Sequence, residues 1–342
     1  MRATLRTAGL QVDVACADRH LARVIREGAA GELAPVNGRR PDIRVTVQRT
    51  AAAFDVSGWE QLTREAWRRP GQVIMNNTCS SGLDLLVTAE GPTLGVIARH
   101  RPSVAVRAAS AVLRARSALL LRAVLLQYPA LWWSQQRGGV PLHASVCTLA
   151  PPGKGTVLIA GPGGIGKSTL LAAELACGAR AASDNLCVSD GHTAWGVVEP
   201  RRIPADLPAP MRQRVPAGRG RRMTYGRREM PWAGRAEALD PDVVVVLRRG
   251  SAAAPAVGAI SAREAARVLV AGTYMAGELR RYWAFAATLA LGTGLGDPHP
   301  PIWRAARTLT QELPCQQVAL GAKHAASLSA LLDGTDRIGV NR

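Results

Sequence analysis

The stretch Thr156-Val157-Leu158-Ile159-Ala160-Gly161-Pro162-Gly163-Gly164-Ile165-Gly166-Lys167-Ser168-Thr169 decides how this chain is read. Its second half fits the spacing G-x-x-x-x-G-K-[ST] at every fixed position. The apolar run Thr156–Ala160 reads as a strand, and Lys167–Cys177 reads as a helix closed by Gly178. Strand, glycine loop and helix in that order build a phosphate cradle: glycines let successive N–H groups turn inward, and the helix N-terminus adds its partial positive charge. Gly161, Gly163, Gly164, Ile165, Gly166, Lys167, Ser168 and Thr169 are therefore expected to hold a nucleotide's phosphates. In that P-loop, Lys167 reaches the β- and γ-phosphates and the Ser168 hydroxyl ligates Mg²⁺.

Working outward, Arg180–Ser183 reads as a short strand that delivers Asp184-Asn185 beside the loop. A carboxylate there either holds Mg²⁺ or takes a proton from a hydroxyl. Upstream, His143 lies in Val140–Leu149, read as one strand next to the loop's own. Leu186–Val188 and Ala194–Val198 flank the hairpin signal Asp190-Gly191, and Val243–Leu247 reads as a buried strand. Ser261–Gly277, with the capping pattern Ser261-x-x-Glu264, and Glu278–Leu291 read as helices. Residues 205–235 read as a loop rich in Arg, Pro and Gly, with a basic density at Arg212–Arg228. The expected fold class is α/β, with a P-loop C-terminal domain over residues 136–342. Residues 1–135 read as a small α+β domain with a helical linker. Its strands are Leu10–Val14, Ile43–Val47, Leu83–Val87 and Leu94–Ala98, its helix is Asp18–Glu27, and the helical stretch 103–134 is expected to break before Pro129.

Composition narrows the field. A chain of 342 residues that is 47% hydrophobic can bury a sizeable core, although aromatics are only 4%. Three lysines and forty arginines give a net charge of +18, a field that attracts acidic peptides, phosphorylated ligands and other polyanions. The arginine excess also fits GC-rich codon usage. Basic residues are not interleaved with aromatics, which argues against nucleic acid. Six scattered cysteines make no C-x-x-C and no zinc spacing, consistent with reduced thiols and a cytoplasmic setting. No signal peptide or membrane span is expected, because Val104–Trp133 is interrupted by four arginines.

Leu142-His143-Ala144-Ser145, then Gly161–Thr169, then Cys177-Gly178, then Ser183-Asp184-Asn185 together resemble the catalytic domain of HPr kinase/phosphorylase and its smaller relatives found beside peptide natural-product genes. Glu199-Pro200-Arg201-Arg202-Ile203-Pro204 extends the similarity, which covers residues 140–250. The resemblance implies that Asp184 is the base accepting the substrate hydroxyl's proton, that His143 stands near the phosphates, and that Lys167 completes the catalytic set. It implies ATP and Mg²⁺, with Ser168, Asp184 and Asn185 toward the metal. Asn185 stands where the family has a second acid, and the extended C-terminal signature of the bifunctional enzymes is absent. The expected activity is transfer of the γ-phosphoryl group to a hydroxyl, foremost a Ser of an acidic peptide or protein. A small-molecule kinase on the same scaffold, and a nucleotide-binding ATPase or regulatory protein without an acceptor, are the alternatives. The oligomeric state is left open.

Overall fold

The computed structural model describes residues 1–89, 91–151, 153–204, 221–222, 227–232, 235–252, 254–321 and 327–333. The chain is mixed α/β and divides into two compact units: 1–138 with 198–200 and 280–300, and 139–197 with 201–279 and 301–342. Among the described residues no helix is long and apolar enough to cross a membrane.

The first unit is built on one eight-stranded sheet. In chain order its strands are β1 (Arg2–Thr7), β2 (Leu10–Cys16), β3 (Ile43–Gln48), β4 (Glu60–Thr63), β5 (Ala66–Arg69), β6 (Gln72–Met75), β7 (Leu83–Thr88) and β8 (Leu94–His100). The spatial order is β1-β2-β3-β8-β7-β6-β5-β4, with β3 parallel to both β2 and β8. The strands expected around residues 10, 43, 83 and 94 are present, and β7 and β8 pair antiparallel as the hairpin reading requires. The helix Arg19–Gly28 starts at Asp18, whose carboxylate accepts from the Leu21 N–H. The stretch 103–134 departs from expectation: it breaks at Leu113, between Val104–Val112 and Arg114–Arg122, and not before Pro129. A π-type turn at Ala123–Gln127 widens the hydrogen-bond spacing, so Pro129 enters the helix Tyr128–Trp133 without a break. Trp132, Tyr128 and Tyr282 are buried in this unit, where Tyr128 packs against Tyr282 and Phe285.

The second unit carries the glycine loop. Its strands are β9 (Val140–Leu142), β10 (Ser145–Thr148), β11 (Thr156–Ala160), β12 (Ala181–Ser183), β13 (Cys187–Ser189), β14 (Ala194–Gly196), β15 (Arg201–Pro204), β16 (Arg221–Arg222), β17 (Arg227–Met230), β18 (Ala238–Leu239), β19 (Val243–Arg249), β20 (Ala256–Ala259) and β21 (Cys315–Leu320). The main sheet runs β12-β10-β11-β19-β21-β20, with β11, β19 and β21 parallel. A second sheet runs β18-β14-β13-β9 and a third β15-β17-β16. Because β11 and β19 are central and buried, they read as continuous apolar runs, Val157–Ala160 and Val243–Leu247. The helix Lys167–Ala176 packs Leu170 and Leu171 into the same core as Ile159, Val245, Leu247 and Val318.

Three expectations are corrected here. Val140–Leu149 is not one strand but β9 and β10, in different sheets, separated at His143-Ala144. Side chains intercept the backbone at that point: the His143 N–H donates to Thr273 Oγ1 at 3.0 Å, and Ser183 Oγ donates to the Ala144 carbonyl at 2.7 Å. The helix Ala262–Tyr274, capped by Ser261, stops short of Gly277, and the next begins only at Tyr282, leaving Glu278 between helices. Within 205–235, Arg227–Met230 is a strand paired with Arg201–Pro204, while most of the basic segment Arg212–Arg228 lies outside the described residues.

Candidate functional site

The site grows from the end of β11. Gly161 has a φ of +151°, and a Cβ there would stand 3.1 Å from the Leu247 carbonyl oxygen, so only glycine fits where the loop leaves the sheet. Gly164 and Gly166 also take positive φ, at +77° and +120°. Ile165, beside them, leans on the core below the loop. Lys167, first residue of the helix, is 6% exposed, and its ammonium donates to the Gly161 and Pro162 carbonyls at 2.8 and 3.2 Å. Burial pulls it down to about 8, against the opposing pull of the Asp184 and Glu278 charges. Ser168 and Thr169 follow in the first turn.

Asp184 follows β12 directly and is 6% exposed. Burial raises its carboxyl above the usual value. The Ser168 hydroxyl, the Arg202 N–H, and the Arg202 and Arg201 charges pull the other way. The Arg202 N–H lies 3.4 Å from Oδ2, whereas buried Oδ1 has no hydrogen-bond partner among the described residues. Ser145 Oγ donates to the Asp184 carbonyl at 2.5 Å. With the Ser183–Ala144 bond, this forms a reciprocal clasp between the His-Ala-Ser and Ser-Asp-Asn segments.

His143 is 5% exposed. Its Nδ1 lies 3.1 Å from the Gly272 carbonyl, which only accepts, so Nδ1 carries the hydrogen. Burial foremost, then the Lys167 charge, hold the ring below its ordinary value and hence neutral, despite the Glu278 charge. Nε2 is then an acceptor, 3.1 Å from the Asn185 carboxamide oxygen. A half-turn of that amide resolves the mismatch: the nitrogen donates to Nε2, and the oxygen takes the buried position where Asn185 Nδ2 has no partner. Two oxygens of adjacent residues, Asp184 Oδ1 and Asn185 Oδ1, are then without a donor among the described residues.

The structure thus places Gly161–Thr169, Asp184, Asn185 and His143 near one another. Sequence reasoning missed Glu278, which pairs with Arg202. Burial pushes the Glu278 carboxyl up, but the Arg202 charge and hydrogen bond outweigh it and hold it below its usual range. It also missed Thr273 and Gly272, which fix His143 from the end of the 262–274 helix. No local pattern marks these residues, because only the fold brings them to the loop.

Among the described residues no three His, Cys, Asp or Glu side chains cluster as a metal cage. The donor set at Ser168, Asp184 and Asn185 instead suits a hard cation that arrives with phosphate oxygens and takes only one or two protein oxygens. No protein-family model matches the chain, and no curated protein matches it in sequence.

Proposed function

We propose that the chain is an ATP- and Mg²⁺-dependent kinase of the HPr-kinase-like class, transferring the γ-phosphoryl group to a hydroxyl, foremost a Ser of an acidic peptide or protein. The observation that carries this reading is the Asp184 carboxylate. It is buried, within reach of the Ser168 hydroxyl, and bears one oxygen without a hydrogen-bond partner among the described residues, beside a glycine loop that ends in a buried lysine. An unpaired buried carboxylate oxygen costs stability unless something else uses it.

Phosphoryl transfer asks for positioning and charge neutralisation more than for covalent chemistry. The loop amides and Lys167 take the β- and γ-phosphate charge. Ser168, Asp184 and Asn185 are the residues that would hold Mg²⁺, whose charge, when bound, neutralises the phosphates. Asp184 accepts the acceptor hydroxyl's proton as its oxygen bonds to the γ-phosphorus. The bond from that phosphorus to the β–γ bridging oxygen breaks, and ADP leaves. The raised carboxyl makes Asp184 a stronger base than an ordinary aspartate. His143 acts by holding the Asn185 amide, so it is a positioning residue in this scheme. Asn185 contributes an oxygen but no charge. A cytoplasmic setting belongs to the same reading, since all six cysteines are free.

The test pairs Mg·ATP titration with label transfer from radiolabelled ATP to Ser-containing acidic peptides. Wild type is expected to bind and transfer, and Lys167→Ala to lose most of both. Unchanged binding in Lys167→Ala would remove the assignment of the loop. Nucleotide hydrolysis without any labelled acceptor would favour the ATPase alternative.

A further inference from the structure

The helices Ala262–Tyr274 and Ile302–Glu312 of the second unit pack side by side and leave a groove of about 710 Å³ between their outer faces. Its floor is apolar, with Ala266, Val270 and Trp303, and Trp303 is 54% exposed. Its rim carries the exposed guanidiniums of Arg263, Arg267 and Arg307. The only acids of the two helices are engaged elsewhere: Glu264 with Arg248, and Glu312 with His192 at 3.1 Å. Arg307 donates to Gln311 at 3.2 Å, a neutral partner. Among the described residues, then, the rim charges have no carboxylate partner. Arg263, Arg267, Ala271 and Met275 recur every four residues, so they form one stripe along the helix. Met275 is 85% exposed, and the stripe runs toward the turn that holds His143 through Gly272 and Thr273.

We propose that this groove docks an acidic amphipathic helix belonging to the phosphate acceptor. The apolar floor takes the helix's apolar face, and the three guanidiniums take flanking carboxylates. A free small anion is a poor fit, because the donors line the rim of an apolar channel and do not converge. The acceptor half of the inference rests on the kinase reading, while the docking half does not. The rise of a helix puts Arg263 about 14 Å from Gly272, whose Cα side faces the Gly161 carbonyl. An extended linker of about four to five residues covers that distance, which sets the expected spacing between the docking helix and the acceptor serine.

The experiment uses the full chain without nucleotide and fluorescein-labelled peptides: an acidic amphipathic helix, its Glu→Lys counterpart, and a scrambled acidic control. Anisotropy is expected to give micromolar binding of the first alone, weakened by added salt. Arg263→Glu with Arg267→Glu is expected to reduce it by about tenfold or more, and Trp303→Ala similarly. The charge-reversed protein is expected to bind the Lys peptide better than wild type does, a gain that a misfolded variant cannot give. Equal binding of the scrambled peptide, indifference to all three substitutions, or binding only to phosphatidylserine vesicles would overturn the proposal. Docking without phosphorylation would count against the kinase reading alone. Phosphorylation at equal rates in wild type and charge-reversed protein would count against docking alone.

Discussion

At the scale of the residue, the phosphate-binding role proposed for Lys167 is tied to its burial. Its ammonium is held to about 8, so it loses its proton as pH rises through that value. Phosphate recognises only the charged form, so Mg·ATP affinity is expected to fall above about pH 8, by up to about tenfold per pH unit. The effect on stability has the opposite sign. Between about 8 and 10.5 the unfolded lysine keeps a proton that the folded one has released, so the nucleotide-free protein gains stability with pH across that window. Titration at several pH values and a matching series of melts read the two slopes, and an affinity flat to pH 10 would contradict the buried-lysine account. His143 makes a separate prediction. If its neutral ring orients the Asn185 amide, His143→Ala should raise the Mg²⁺ concentration needed for half-maximal nucleotide binding by about tenfold or more. His143→Gln, whose carboxamide oxygen can still accept from the Asn185 amide, should recover part of that affinity, whereas His143→Leu, of similar size but without an acceptor, should not; equal recovery by Leu would mark a merely space-filling histidine.

At the scale of the element, the helix Lys167–Ala176 is fastened by Glu174, which is wholly buried. One carboxylate oxygen accepts from the Ala150 N–H at 2.8 Å, the other from the Ser329 N–H at 2.8 Å and the Ser329 hydroxyl at 3.1 Å. Glu174→Ala leaves those donors unpaired and should cost about 3 kcal/mol. For a unit of this size that lowers Tm by about 6–12 °C, readable by calorimetry. Gly196 is similarly constrained: a Cβ there would fall 1.8 Å from the Ala182 carbonyl oxygen, so Gly196→Ala should push β14 away from β12 and destabilise the strand that leads to Asp184.

The elements legible in advance were those with local signals. Thr156–Ala160 and Val243–Leu247 announce buried strands by continuous apolar runs, and Asp18 and Ser261 announce helix starts by their caps. β4 and β5 gave no such signal, because Glu60–Thr63 is a polar edge strand and Ala66–Arg69, between it and β6, is a short strand; both are defined by pairing rather than by pattern. The break at His143-Ala144 was hidden for the same kind of reason. It depends on Thr273 and Ser183, which are distant in sequence. In the site, the glycine loop and Asp184 could be read from spacing, but Glu278 and the Gly272 carbonyl could not.

At the scale of the whole molecule, the net charge of +18 and the arginines of the 262–274 helix, which have no carboxylate partner among the described residues, favour an acidic acceptor under the kinase reading, and the second unit by itself contains every residue of the candidate site. The central claim is that the Asp184 carboxylate takes the acceptor's proton, so that Asn at this position, which keeps an oxygen for the metal but cannot take a proton, separates binding from transfer. The most direct measurement is Asp184→Asn examined twice in the same preparation, by Mg·ATP titration and by label transfer to an acidic serine peptide. The account predicts nucleotide affinity within about twofold of wild type and transfer lowered by about 10²–10⁴-fold. Undiminished transfer in Asp184→Asn would contradict it.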